Sequence, residues 1–157
     1  MHLLRKISFL IIIIMIFGIS CKSEGPLTPE QAFEELRNSY HKKNASAVIN
    51  VLSKESIEKI KSIIIMISSM NEIQLKSLSE RFGVTVDEMK KLDVKNYMAL
   101  QLKVGEKIGE DMMEEILKYK IIGVDIVKEK AVVRLENGME LVFVKEGGYW
   151  KFNMQEL

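Results

Sequence analysis

Asp125 is the side chain best set, by type and surroundings, to do chemistry. It sits in the run Val124-Asp125-Ile126-Val127, and a carboxylate stripped of water by apolar neighbours is a stronger proton acceptor, the requirement for a general base. The competing reading is a cross-strand pair with Arg134, which would keep the acid ionised and occupied. Tyr40, Tyr97, Tyr119 and His41 are the other groups that could exchange a proton, although His41 lies in the polar stretch His41-Lys42-Lys43-Asn44 and is expected to be solvated. The serines fall at capping or polar helical positions and no Gly-x-Ser-x-Gly elbow occurs, so hydroxyl nucleophile chemistry is not indicated. Glu106, Glu110, Asp111, Glu114 and Glu115 gather acid that could attract calcium. They lack an oxygen-ligand loop with its turn glycine and read instead as a solvated helix face. With Cys21 the only cysteine and His2 and His41 the only histidines, no Cys/His ligand spacing exists, and neither a metal nor a cofactor is expected.

Cys21 has a different significance, set by what precedes it. Arg5 and Lys6 begin a basic start, Ile7 to Phe17 is apolar except for Ser8, and Gly18-Ile19-Ser20 leads to the cysteine. This is an export leader, too short to cross a bilayer as the usual helix of about 20 apolar residues. The pattern resembles a bacterial lipoprotein signal. The resemblance implies removal of residues 1–20, lipidation of Cys21, and a tether over residues 21–27 that joins the lipid to a folded domain. An uncleaved anchor and ordinary secretion are the alternatives. Lys22 stands where enteric-type lipoproteins retained at the inner membrane carry Asp, so the expected location is the cell envelope, at the periplasmic or surface face of the outer membrane.

The remaining chain is long enough for one domain that buries most of its own surface. The leader holds two of the 23 basic residues and none of the 22 acidic ones, which leaves a net charge of −1. Such a balance gives no global pull on nucleic acid, and the pairs Lys42-Lys43 and Lys90-Lys91 lack interleaved aromatics.

A single α+β domain is expected over residues 28–157, with helices in 28–117 and a sheet in 118–154. Thr28-Pro29-Glu30-Gln31 starts a helix whose apolar stripe is Ala32, Phe33, Leu36 and Tyr40, with Glu34, Glu35, Arg37 and Asn38 facing water. A short second helix with Ala45, Ala47, Val48, Val51 and Leu52 follows Asn44, and Ser53 caps a third carrying Ile57, Ile60, Ile64, Ile67 and Met70 along one side, with Ile63 and Ile65 widening the apolar surface. Ile73, Leu75, Leu78 and Phe82 mark a fourth helix closed by Gly83, Thr85 with Glu88 a fifth, and Asp93 a sixth. Gly105 and Gly109 predict a break before a last helix over 110–117.

From Lys118 the period is that of strands, and four antiparallel runs follow. Asn137-Gly138 and Gly147-Gly148 are hairpin signals. Read as two-residue turns, they pair Val132 with Phe143 and Phe143 with Phe152. Leu141, Phe143, Trp150, Phe152 and Met154 then share a core face, and Ile122, Val124, Ile126, Val133, Leu135, Val142 and Val144 the other. A first turn at Glu129-Lys130 sets Asp125 opposite Arg134 and Val127 opposite Val132. With both faces partly apolar, either helices cover both or a second chain closes one.

The opening TPEQAFEEL helix, the segment NASAVINVLS and the closing VDIVKEKAVVRLENGMELVFVKEGGYWKF together resemble the NTF2-like, cone-shaped α+β domains of small exported lipoproteins. The resemblance implies a curved sheet around helices with a pocket in the cone, for which Phe33, Leu36, Tyr40, Phe143, Trp150 and Phe152 are the candidate lining. It also implies, for the enzymes of that family, an Asp or His working with a Tyr, which is why Asp125 is the alternative catalytic residue. Fold does not choose among the family's activities. The expected function is a non-catalytic binding or assembly module tethered to the envelope, with an envelope protein or a second copy as partner. The alternatives are an isomerase- or dehydratase-type enzyme using Asp125, and a carrier of an apolar ligand with Ile63 to Ile67 in its wall.

Overall fold

In the computed structural model residues 25–108 and 112–154 are described; the leader, Cys21 and the acidic positions Glu110 and Asp111 lie outside them. Thr28 accepts a hydrogen bond from Gln31 N and opens α1, Pro29–His41, with Pro29 in the first turn. The Gln31 side chain reaches one residue further back than a capping box requires and accepts from Leu27 N at 2.9 Å. Asn44 caps α2, Ala45–Val51, and Ser53 caps α3, Lys54–Ser68. Asn71 forms a reciprocal capping box with Gln74 at the start of α4, Glu72–Phe82, which Gly83 ends at φ 65°. Thr85 and Glu88 form a second box on α5, Val86–Lys90. α6, Val94–Ile108, runs through Gly105, a glycine costing a helix only about 1 kcal/mol; Gly109, the other residue of the expected break or bend, lies outside the described residues, and a separate last helix follows. α7 is Met112–Leu117.

The helices precede a four-stranded antiparallel sheet in the order β1-β2-β3-β4, with β1 Ile121–Val127, β2 Lys130–Leu135, β3 Glu140–Glu146 and β4 Tyr149–Phe152. The fold is therefore α+β. Gly147 and Gly148, both at positive φ, make the expected two-residue turn, and Phe143 pairs with Phe152. The other two turns correct the sequence reading. Between β2 and β3 the loop has three residues: Gly138 N donates to Leu135 O, Leu135 N to Met139 O, and Gly138 takes φ 84°. Asn-Gly serves this longer loop as well, with glycine supplying the left-handed residue. Phe143 consequently faces Ala131 rather than Val132. A one-residue slip exchanges the faces of a strand, so Val133 and Leu135 lie on the core side, and Val124, paired with Val133, lies with them. The first turn is Lys128-Glu129, with Lys128 at φ 57°, which sets Asp125 opposite Val132 and Val127 opposite Lys130.

The main core lies between that face and α1, α2, α3, α6 and α7. Phe33, Leu36, Val48, Ala131, Val133, Leu135, Leu141 and Phe143 are completely buried within it. The Phe143 and Phe152 rings meet at 5.5 Å, tilted by 48°, a favourable aromatic geometry. A second cluster, Ile67, Leu75, Met89, Leu100 and Val104, joins the end of α3 to α4, α5 and α6. α3 serves both: Ile57, Ile60 and Ile64 face the main core, Ile63, Ile67 and Met70 the second. Ile65 does neither and is 67% exposed, as is most of Ile73 in α4, so the apolar surface of α3 is narrower than its composition suggests.

Arg37 corrects another expectation. Instead of facing water it donates from Nε to Leu117 O at 2.6 Å and from Nη2 to Tyr119 O at 2.7 Å, with its guanidinium 4.6 Å from the centre of the Phe33 ring. Helix-end carbonyls need partners, and Arg37 supplies them where the chain passes from α7 into the sheet.

Candidate functional site

The one-residue slip decides the fate of Asp125. It moves the residue to the face away from the helices, where its side chain is 57% exposed and paired with Arg134. The ion pair survives although Arg134 stands opposite Gly123, because a shift of two residues keeps both groups on one face and leaves them diagonal neighbours. Tyr40, Tyr97 and Tyr119 pack against the main core on the other side of the sheet, so Asp125 is not joined with a tyrosine across a pocket. His41 is exposed at the end of α1.

Phe33, Leu36, Tyr40, Phe143, Trp150 and Phe152, the expected cone lining, are each no more than 7% exposed and pack into one cluster. None of the six lines the described cavities, although Tyr149, the neighbour of Trp150, lines one. Of the acidic residues considered for calcium, Glu114 bonds to Lys43 and Glu115 to Lys118. The Lys43 hydrogen bond holds Glu114 below the ordinary carboxylate range, against a smaller opposing effect of burial. Among the described residues no three metal-ligating side chains come together.

A cavity with a largely apolar floor lies elsewhere, between α5 and α6. It measures about 410 Å³ and is floored by Val84, Leu92, Ala99 and Leu100, with Lys91, Lys103, Asn96 and Asp87 at the rim. Glu88 also lines it, its carboxyl held below the ordinary range by the Thr85 backbone and hydroxyl that it caps. Nearby Tyr97 touches both hydrophobic clusters, and burial pushes its hydroxyl up, with a Gln101 hydrogen bond opposing. This site was not legible in the sequence, since its walls come from two helices whose relative placement no local motif encodes.

The sheet has two unlike edges. That of β4 is covered twice: Trp150 N donates to Pro26 O at 2.9 Å, and Ser53 N donates to Phe152 O at 2.9 Å beside a parallel bridge from Leu52 to Phe152. Gly25 lies so close to the Tyr149 ring that a Cβ there would stand 2.9 Å from its Cγ. The segment read as tether is thus docked on the domain from Gly25 onward. Among the described residues no strand neighbours the outer edge of β1, which is interrupted by a bulge between Ile121 and Gly123, and Ile122, Ile126 and Val127 of this strand are 67%, 54% and 70% exposed. Natural sheets usually protect such edges.

The fold and these features define a small α+β protein whose helices pack on one face of the sheet, with, among the described residues, an amphipathic cleft between α5 and α6 and an outer β1 edge that no strand covers. No family model, no curated protein and no solved structure matches the chain. Among the described residues no helix is long and apolar enough to cross a membrane.

Proposed function

We propose that this protein is a lipid-anchored lipoprotein of the cell envelope whose domain, of the NTF2-like kind, serves as a non-catalytic binding or assembly module. The observation that carries the reading is the docking of Gly25 and Pro26 on Tyr149 and Trp150, only four positions beyond Cys21. Three intervening residues reach about 10 Å when extended. A lipid on Cys21 would therefore hold the β4 side of the domain against the membrane surface, in one preferred orientation, with the β1 side presented outward. Two acyl chains or more give stable anchoring, at about 0.8 kcal/mol per buried CH₂. The solvated, paired state of Asp125 favours binding over proton transfer.

The test is the intact mass and membrane fractionation of the native protein beside Cys21→Ser. An acylated chain beginning at Cys21, with membrane association lost in the variant, is the expected result. A retained leader or a soluble, unmodified product would overturn the anchor. A second reading, carriage of an apolar ligand, is favoured by the cleft between α5 and α6, whose lysine rim suits an anionic head above an apolar floor. Native mass spectrometry should then retain an amphiphile that Leu100→Lys releases, and a chain that never retains one would end this second reading.

A further inference from the structure

We propose that the cleft between α5 and α6 is the mouth of a site for a single-chain anionic amphiphile, and that α4 and α5 together form the lid that admits the chain from the cleft into the second hydrophobic cluster. This rests on the carriage of an apolar ligand read above, which it deepens, and is independent of the anchor. Leu100 floors the cleft and is itself a member of the cluster with Ile67, Leu75, Met89 and Val104, and two more floor residues, Val84 and Leu92, pack against that cluster. Cleft and cluster therefore share a wall of side chains.

The class of ligand follows from the lining. Asn96, Ala99, Leu100 and Lys103 recur at i, i+3, i+4 and i+7 and make one stripe along α6, about 10 Å long at the usual helical rise. Val84, Asp87, Glu88 and Lys91 repeat that spacing through α5 and just beyond its ends. A volume of about 410 Å³ lies toward the lower end of small-ligand sites, which suits one acyl chain rather than two. Lys91 and Lys103 are exposed and form no ion pair among the described residues. The Glu88 carboxylate already accepts from Thr85 N at 2.7 Å and from Thr85 Oγ1 at 2.9 Å. That leaves two lysines against Asp87 on the rim, a balance that favours a carboxylate or phosphate head.

The lid follows from how α4 and α5 are fastened. Hydrogen bonds in residues 71–91 close on the segment itself: Asn71 with Gln74, Ser79 Oγ to Lys76 O, Val84 N to Ser79 O, Thr85 with Glu88. Among the described residues none reaches α3, α6 or the sheet. The pair is held by apolar contact, chiefly that of Leu75 and Met89, each 1% exposed, with Ile67, Leu100 and Val104. Its two connections, residues 69–71 and 91–93, lie outside the helices. The lid can thus part from α6 without breaking a hydrogen bond, and units of this kind open at lower free energy than a core sheet. An entering acyl chain replaces the apolar contacts it displaces, and the flexible thioether of Met89 repacks around it.

The experiment is titration of full-length Cys21→Ser, in detergent-free buffer, with dodecanoate below its micelle concentration, followed by calorimetry and by NMR of the methionine methyl groups. Dodecanoate should bind, shift the Met89 methyl signal, assigned through Met89→Leu, and leave that of Met139, beside the β2–β3 turn, in place. Amide exchange across residues 71–91 should slow. Dodecyltrimethylammonium should bind about tenfold or more weakly, because it cannot accept charge-assisted hydrogen bonds from the lysines. Ala99→Trp, an exposed substitution on the α6 stripe, fills the mouth and should abolish binding with melting unchanged. Binding that survives Ala99→Trp, or that is equal for the two heads, overturns the proposal. Binding that leaves Met89 unmoved overturns the lid and leaves the carriage reading standing, whereas a chain that binds neither amphiphile ends both.

Discussion

Ser56 fastens the helices to the sheet, and its removal gives the sharpest test of how the β4 edge is closed. The residue is completely buried in the first turn of α3. Its Oγ accepts from Met154 N at 2.8 Å, lies 2.9 Å from Ser53 Oγ and donates to Phe152 O at 3.2 Å. In Ser56→Ala, Phe152 O keeps its bond from Ser53 N, whereas Met154 N loses its acceptor. Met154 is part-buried, and the Ser53 hydroxyl beside it is buried and loses its Ser56 partner as well. A donor left without an acceptor in such a seam costs about 1–3 kcal/mol, so the expected loss is about 2 kcal/mol. For a domain of this size that lowers Tm by roughly 6–10 °C. Urea denaturation should show the midpoint falling with the slope unchanged, which marks a native-state effect. Ser62→Ala on the same helix is the control: its hydroxyl donates to Glu58 O on an exposed surface, and its loss should stay within about 0.5 kcal/mol. A Ser56→Ala loss no larger than the control would refute the account of this seam.

Three further outcomes follow from the same geometry. Arg37→Lys should destabilise the native chain by about 1–3 kcal/mol, because an ammonium cannot reproduce the fork to Leu117 O and Tyr119 O; equal midpoints in urea would contradict it. Leu75→Ala, 1% exposed in the second cluster, should cost about 2–5 kcal/mol. Hydrogen exchange should rise in α4 and α5 before the sheet, and uniform exchange throughout would argue against two separable clusters. Glu88, whose folded carboxyl lies below its ordinary 4.5, supports α5 above that pH and loses this support as pH falls through the lowered value. Thr85→Ala should flatten that acid-side dependence of α5 amide exchange, and an unchanged profile would remove Glu88 from the cap.

The helices were largely legible because their signals are local. Thr28, Asn44, Ser53, Thr85 and Gly83 each mark a boundary with a group two or three residues away. Asn71 with Gln74 carried the same signal. The sheet was legible in its strands and not in its faces. Asn137-Gly138 fits a two- or a three-residue loop, and the choice is made by burying Val133 and Leu135 beneath α1, a contact between segments about a hundred residues apart in sequence. That one choice carried Asp125 out of a supposed pocket into solvent. The docking of Pro26 was hidden for a similar reason: the composition of residues 21–27 is that of a linker, and only the uncovered edge of β4 gives it something to bind.

The Pro26 clasp also sets a path for mechanical load. A pull on the N-terminus reaches the domain through the Pro26 carbonyl and enters β4 at Trp150 N, whose indole is 4% exposed and wedged in the main core. From Phe152 O it passes through Ser53 N into α3. Such a pull is thus received by an edge strand backed by a tryptophan and a helix start, three strands away from β1. The strand at the far side of the sheet is left out of the line of force.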